Sequence, residues 1–452
     1  MSAIPAADSG RGSRESGRRG WRVLLVWGLV VLLPGVGAVA WPFLGPAELA
    51  VFLSPVSHFP AAEWPCDKQI LGAAPRFRPR ITHVRIVDLD QDGRMDILAC
   101  DAQQKRVYWY RQVGWRQWEE IPLGPELNVP AGLTVVDLDG DGDLDLVVAV
   151  LGSVLPSDER IGQVVWLENR GKTFVPHVLL DHLRRVTDVQ AGDFTGNGRP
   201  DLVVAVYGYH HGELLWLENL GEGGPTPRLR FREHLLLATQ GPSHVPVADF
   251  TGDGRQDIAA LVSQDHEEVW LWENRGGGQF TPRRIFHTLN FDLGSASLRL
   301  TDLDGDGQPD LLLCAGDNLE INHHYPQPWH GCYWLRNSGD GKFTVQRLAA
   351  VGGVYGAAVA DLNGDGRPDL VLACMFNDWH RPGAASLVLL ENRGSGVFLP
   401  RTLDTHPIHL AVLDAGDLDG DGQADLVAGS LHLDDLAATR WGRLTLWLRR
   451  PP

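Results

Sequence analysis

No two of the five cysteines (Cys66, Cys100, Cys314, Cys332, Cys374) lie close in sequence. CxxC, CxxCH and zinc spacings are therefore missing, which excludes thiolate metal centres, attached haem and thioredoxin chemistry. Cys100, Cys314 and Cys374 each end an apolar run and read as buried small hydrophobes. An excess of positive charge is lacking as well. Forty Lys and Arg face 57 Asp and Glu, a net charge of −17, which suits nucleic-acid wrapping poorly. GxSxG, HExxH and phosphate-loop motifs are missing, so those enzyme classes have no support. Glycine, at 52 residues, and proline, at 29, are abundant, a content that turn-rich β chains accommodate and helices do not. With 44% apolar and 21% charged residues, whole-chain disorder is excluded.

Residues 1–22 form a basic segment with Arg11, Arg14, Arg18, Arg19 and Arg22. An uncharged apolar segment occupies 23–45, and charge before such a run keeps the N-terminus cytoplasmic and exports the chain beyond it. The long basic segment favours a retained membrane anchor, whereas Ala38-Val39-Ala40 fits a cleaved signal peptide. In either case a linker at 46–61 and everything after it is expected to be extracytoplasmic, periplasmic or at the cell surface.

One pattern recurs seven times: an apolar run, D-x-[D/N/T]-x-[D/N]-G-x-x-D, then Leu or Ile and a second apolar run. The first two loops offer Asp88, Asp90, Asp92 and Asp96, then Asp137, Asp139, Asp141 and Asp145. The third offers Asp193, Thr195, Asn197 and Asp201, and the fourth Asp249, Thr251, Asp253 and Asp257. The last three offer Asp302, Asp304, Asp306 and Asp310; Asp361, Asn363, Asp365 and Asp369; and Asp417, Asp419, Asp421 and Asp425. Alternate positions 1, 3 and 5 can aim oxygens at one ion, Gly at 6 permits a sharp turn, and Asp at 9 closes the shell. Oxygen-only ligands select a hard cation, and their number favours Ca²⁺. Up to seven ions are expected, bound most weakly at the Asp193 loop, which has only two carboxylates. An EF-hand would need Glu at position 12, where Ala99, Val148, Val204, Ala260, Leu313, Leu372 and Ala428 stand. Without the 24 loop aspartates the chain has 33 acids against 40 bases, so its acidity is mostly loop charge.

After each loop comes a strand-like run such as VVWLENRGKTF at 164 or CYWLRNSGDGKF at 332, containing a Gly-rich turn, and then a further strand. Four antiparallel strands repeated radially predict an all-β, seven-bladed propeller over residues 62–452. The last repeat stops after its third strand. A strand-like segment at 62–72, before the first loop, is expected to close blade seven and hide its edge. These loops and blades resemble FG-GAP/VCBS repeats, the propeller units of integrin α-subunits and of many exported bacterial proteins. The resemblance implies Ca²⁺ binding at the loop aspartates. The chain departs from integrins in carrying cation loops in all seven blades.

With the cation loops on one face, the loops between second and third strands lie on the other. They hold near half of the 17 histidines and several aromatics, and loops on a rigid scaffold commonly carry recognition. Tyr209, His210, His323, His324, Trp329, His330, Trp379 and His380 are the ligand-face candidates. Five residues before three of the loops stand His83, Asp188 and His244, directed toward the mouth of the central channel. The expected function is a non-catalytic binding or scaffold module for a protein or glycan. The alternative is a carbohydrate lyase or hydrolase with a His/Asp site at the channel mouth.

Overall fold

A computed structural model describes residues 58–171, 173–223, 229–319, 326–433 and 442–450. The basic segment, the apolar segment, most of the linker, and His323 and His324 lie outside them. The described residues form seven antiparallel sheets and no helix. Each sheet is a meander of strands A to D, with A innermost. In blade one these are Ile81–Val87, Asp96–Asp101, Arg106–Gly114 and Gln117–Leu123.

Burial explains the sequence pattern of each strand. Strand B is buried along its length, as in Asp145–Val150 and Asp310–Ala315, because both faces of the blade are covered by neighbouring blades. Strand D is only partly buried, as in Phe343–Ala349, because it lies at the rim. Seven apolar clusters occupy the seven seams. At the seam of blades one and two, for example, Leu98, Cys100 and Trp109 meet Leu133, Val148 and Val165. At the seam of blades seven and one, Val427 and Leu446 meet Ile81, Ile97 and Tyr110. Truncating such a side chain to alanine typically costs about 2–5 kcal/mol.

Strand A of blade four is broken into Pro242–His244 and Val247–Ala248. Pro246 stands at the break and has no N–H to give the ladder. Every strand A also carries a register shift one residue before the loop-minus-five position. The extra residues are Thr82, Ala131, Thr187, Ser243, Ala296, Tyr355 and Ala411. Such a bulge re-aims the side chain beside it.

Blade seven is composite. Its strands A to C are Leu410–Gly416, Asp425–Ser430 and Leu444–Arg449, and its fourth strand is Cys66–Leu71, running antiparallel to Leu444–Arg449. Just upstream, the Ala62 amide donates to the Thr402 carbonyl and the Thr402 amide to the Pro60 carbonyl. The segment thus covers the rim of blade six before completing blade seven. Removing residues through Leu71 should bare the Leu444–Arg449 edge, lower Tm by about 5 °C or more, and drive self-association through that edge. Light scattering showing an unchanged monomer of unchanged Tm would refute this.

Candidate functional site

The carboxylate at loop position 1 is held the same way in all seven copies. Its Oδ2 accepts the amide of the position-6 glycine at 2.7–3.0 Å. Those glycines have φ between 79° and 96°, which a side chain would disfavour. The aspartate at position 9 is the first residue of strand B and is buried. Its Oδ1 accepts an amide from the end of strand C at 2.7–2.8 Å, from Gln112, Asn169, Asn219, Asn274, Asn337, Asn392 and Arg449. Its Oδ2 accepts the amide of loop position 2 at 3.0–3.3 Å. This carboxylate therefore stitches loop to blade whether or not an ion is bound. Burial pushes its pKa up, to about 6 at Asp96, Asp145, Asp201 and Asp310 and to about 7 at Asp425.

Four loops bring three carboxylates within 4.8 Å of one another and can hold a metal ion: Asp88/Asp90/Asp96, Asp137/Asp139/Asp145, Asp302/Asp304/Asp306 and Asp417/Asp419/Asp425. These are the four loops with aspartate at position 3. The three with Thr195, Thr251 or Asn363 there do not form such a cluster. In two of those three, the position-5 aspartate is also drawn into an ion pair, Asp253 with Arg255 and Asp365 with Arg367. Guanidinium groups also reach into three of the four clusters: Arg111 to Asp90 at 2.6 Å, Arg336 to Asp304 at 2.6 Å and Arg116 to Asp419 at 2.7 Å. The Oδ1 atom of Asp90 is buried without a partner, an oxygen that a cation would satisfy.

Sequence reasoning missed a clasp between blades. The side-chain amides of Gln112, Asn219, Asn274 and Asn337 donate to the carbonyls of Leu418, Leu138, Phe194 and Phe250, each at position 2 of the preceding blade's loop. Its signal was the recurring side-chain amide at the end of the third strand, Asn219, Asn274 and Asn337 with Gln112 in the first blade.

The channel gathers the expected polar residues. Asp188 Oδ2 accepts the Val245 amide at 2.9 Å, and its Oδ1 accepts from Gln190 at 2.9 Å. Arg299 pairs with Asp414 at 3.2 Å, linking blades five and seven. His83 and His244 are close enough for each to feel Asp188 and Arg299. Burial depresses both imidazoles, His83 to about 4, so both are neutral at pH 7. His83 Nε2 and His244 Nδ1 are shielded from solvent and have no partner. The trio is not, however, among the groups whose ligand atoms lie within 4.8 Å.

On the opposite loop face the candidates divide. His210 and His380 are exposed, and Tyr209 is half-buried against His210 at 4.7 Å. His330, expected to face ligand, is instead fully buried: its Nδ1 accepts the amides of Gln327 and Gly353, each at 3.2 Å. Trp329 and Trp379 are half-buried and pack on the apolar seams. Five large apolar side chains do project from this face: Leu155, Leu319 and Leu433 from B–C loops, and Leu289 and Phe291 from the connection of blades four and five. Leu289 is 87% exposed and Phe291 66%, values that no core role explains. On the cation face, Trp115 and Met95 line a cleft with Ile86, Gly416, Asp417 and Asp419.

A family described as FG-GAP-like repeat matches residues 88–148, 193–260, 249–313 and 327–372, together just over half of the chain. Among solved structures, the BP39L lectin from Burkholderia pseudomallei aligns at 14% identity and TM-score 0.51, over 80% of this chain and 95% of the lectin. BBS1N, solved in complex with ARL6DN, aligns at 11% identity and TM-score 0.51, over 86% of this chain and 98% of its own. At such identities the likeness is one of fold.

The raised aspartate pKa values fix a pH dependence. Without a divalent cation the folded state holds extra protons between the unfolded value near 4 and the folded values of about 6–7. That stability is present at low pH and lost as pH rises through 6–7. In EDTA, Tm should fall from pH 5 to pH 8. Added calcium should reverse the fall, and Asp139→Asn should weaken calorimetric calcium binding more than Asn363→Ala. A Tm in EDTA that climbs with pH would contradict this.

Proposed function

We propose, from the premise that this chain belongs to the FG-GAP-like repeat family, that it is a calcium-braced, extracytoplasmic binding module for a protein partner. The observation that carries the reading is the set of exposed apolar side chains on the face opposite the carboxylate loops: Leu155, Leu289, Phe291, Leu319 and Leu433. Aliphatic and aromatic groups held on the connections of a rigid ring bury well against another protein. Exposed His210 and His380 add polar contacts at the rim. A lectin and a propeller solved with a protein partner share the fold. Those neighbours support a binding role for such a ring, glycan or protein, and the aliphatic character of this face favours protein.

Calcium is the ion that suits four clusters of hard carboxylate oxygens. It would neutralise carboxylates tied through amides to strand C and through the position-2 carbonyl to the next blade, so its role is bracing. Export is supported by the five arginines ahead of the apolar segment at 23–45, which would hold the propeller outside the membrane as an anchor or be removed as a signal.

A second reading rests on the unpartnered nitrogens of His83 and His244 beside Asp188. Neutral imidazoles next to a carboxylate can move protons, as the lyase or hydrolase alternative requires. Turnover on a polysaccharide panel that His83→Ala and His244→Ala abolish at unchanged Tm would establish it, and no turnover by the parent protein would end it.

The main reading is tested on arrays of purified cell-envelope proteins and of glycans. Leu289→Ser combined with Phe291→Ser should weaken capture of a protein roughly tenfold or more while leaving Tm within about 2 °C. Binding that survives these changes, or that goes only to glycans, would remove this face as a protein site.

A further inference from the structure

We propose that Cys314 and Cys332 form a disulfide that pins the root of the longest B–C loop, residues 316–330. The two residues stand directly opposite each other on strands B and C of blade five. Opposed residues of an antiparallel pair have Cα atoms about 4.5–5.5 Å apart, inside the range a disulfide spans. Both side chains are fully buried, both carry free thiols, and each thiol influences the other's ionisation.

The repeat supplies the independent argument. The same cross-strand pair is Cys100/Val107, Ala149/Val164 and Ala205/Leu214 in blades one to three. It is Leu261/Val269, Ala373/Leu387 and Gly429/Leu444 in blades four, six and seven. Apolar packing satisfies this position six times without a thiol pair. Only blade five sets cysteine against cysteine, and only there does so long a B–C loop begin and end on the pair. A cross-link at its root limits how far the loop can open in the unfolded chain. The rest of the loop face has no such tie: Cys66 is on the rim strand of blade seven, and Cys100 and Cys374 are opposed by His83 and Val354 on strand A.

The chemistry is thiol–disulfide exchange with a disulfide oxidant, such as oxidised glutathione or a thiol oxidase. Both thiols are buried once the blade has formed, so the exchange takes place while the chain folds, with the Cys314 thiolate as the first attacker. It forms a mixed disulfide and expels one oxidant thiolate. Cys332 then displaces the second. Two S–H bonds are lost, one S–S bond forms, two protons leave, and the two electrons reduce the oxidant to two thiols. Formation in the cell rests on the export reading, because a reducing cytosol would hold both thiols open.

The test separates the two ideas. The full chain is refolded with calcium in a glutathione buffer set to an oxidising ratio, then alkylated under denaturing conditions and mapped by mass spectrometry. The expected product links the Cys314 and Cys332 peptides, leaves Cys66, Cys100 and Cys374 alkylated, and melts several degrees above the reduced protein. The double variant C314A/C332V reproduces the pair of blade two. It should fold in reductant with the parent's Tm and show no redox-dependent difference. Five alkylated cysteines, or a bridge to Cys374 instead, would overturn the proposal. If the bond forms in the buffer but protein recovered from cells is wholly reduced, export fails and the disulfide geometry stands.

Discussion

One buried carboxylate per blade organises this ring. The aspartate opening each strand B has both oxygens taken by backbone amides, one from the end of strand C and one from the second residue of its own loop. A carboxylate buried this deeply is tolerated because it is so well bonded. Its position fixes the loop, and the loop fixes the side chain at position 2, which enters the seam. Leu89, Leu138, Phe194 and Phe250 are all at most 1% exposed. In four blades that same residue's carbonyl is gripped by an Asn or Gln from the next blade. Electrostatics at a turn thereby becomes packing between sheets, and a cation bound at the turn acts on the whole seam.

Much of this is legible in the sequence because it is written seven times. The oxygen ligands, the glycine at the turn and the apolar second strand follow from local chemistry. Their repetition in register points to the propeller. The features that stay hidden depend on a neighbour. The role of Asn219 is set by a carbonyl of blade two, and that of Arg116 by Asp419 of blade seven. The bulges at Thr82 and Thr187 leave no mark in composition. His330 reads as a surface residue because its loop is long and aromatic. Its ring turns inward because two amides, Gln327 and Gly353, need an acceptor there. By ligand count alone the Asp193 loop ranks lowest. The geometry groups it with the Asp249 and Asp361 loops, where position 3 is not an acid.

The ring separates its tasks by face. Carboxylates and arginines crowd the side of the A–B loops, where Arg111, Arg116 and Arg336 share the acidic clusters. Exposed leucines and Phe291 project from the other side. Between them His83 and His244 lie near Asp188 on the innermost strands. Gly132 stands beside Asp188, and a Cβ there would come within 3.5 Å of that carboxylate. A small residue at this point keeps the inner ring from filling.

The strand Cys66–Leu71 leaves the ribosome first among the elements described and finds its partner, Leu444–Arg449, last. Until Leu444–Arg449 has been made, six blades can assemble in order, but the circle stays open and two seams remain wet. Such a distant pairing is slow to form. The nascent protein must therefore carry an unmatched strand until Leu444–Arg449 has been made, and any helper that guards it would need to act on the early segment and let go only when that late one arrives.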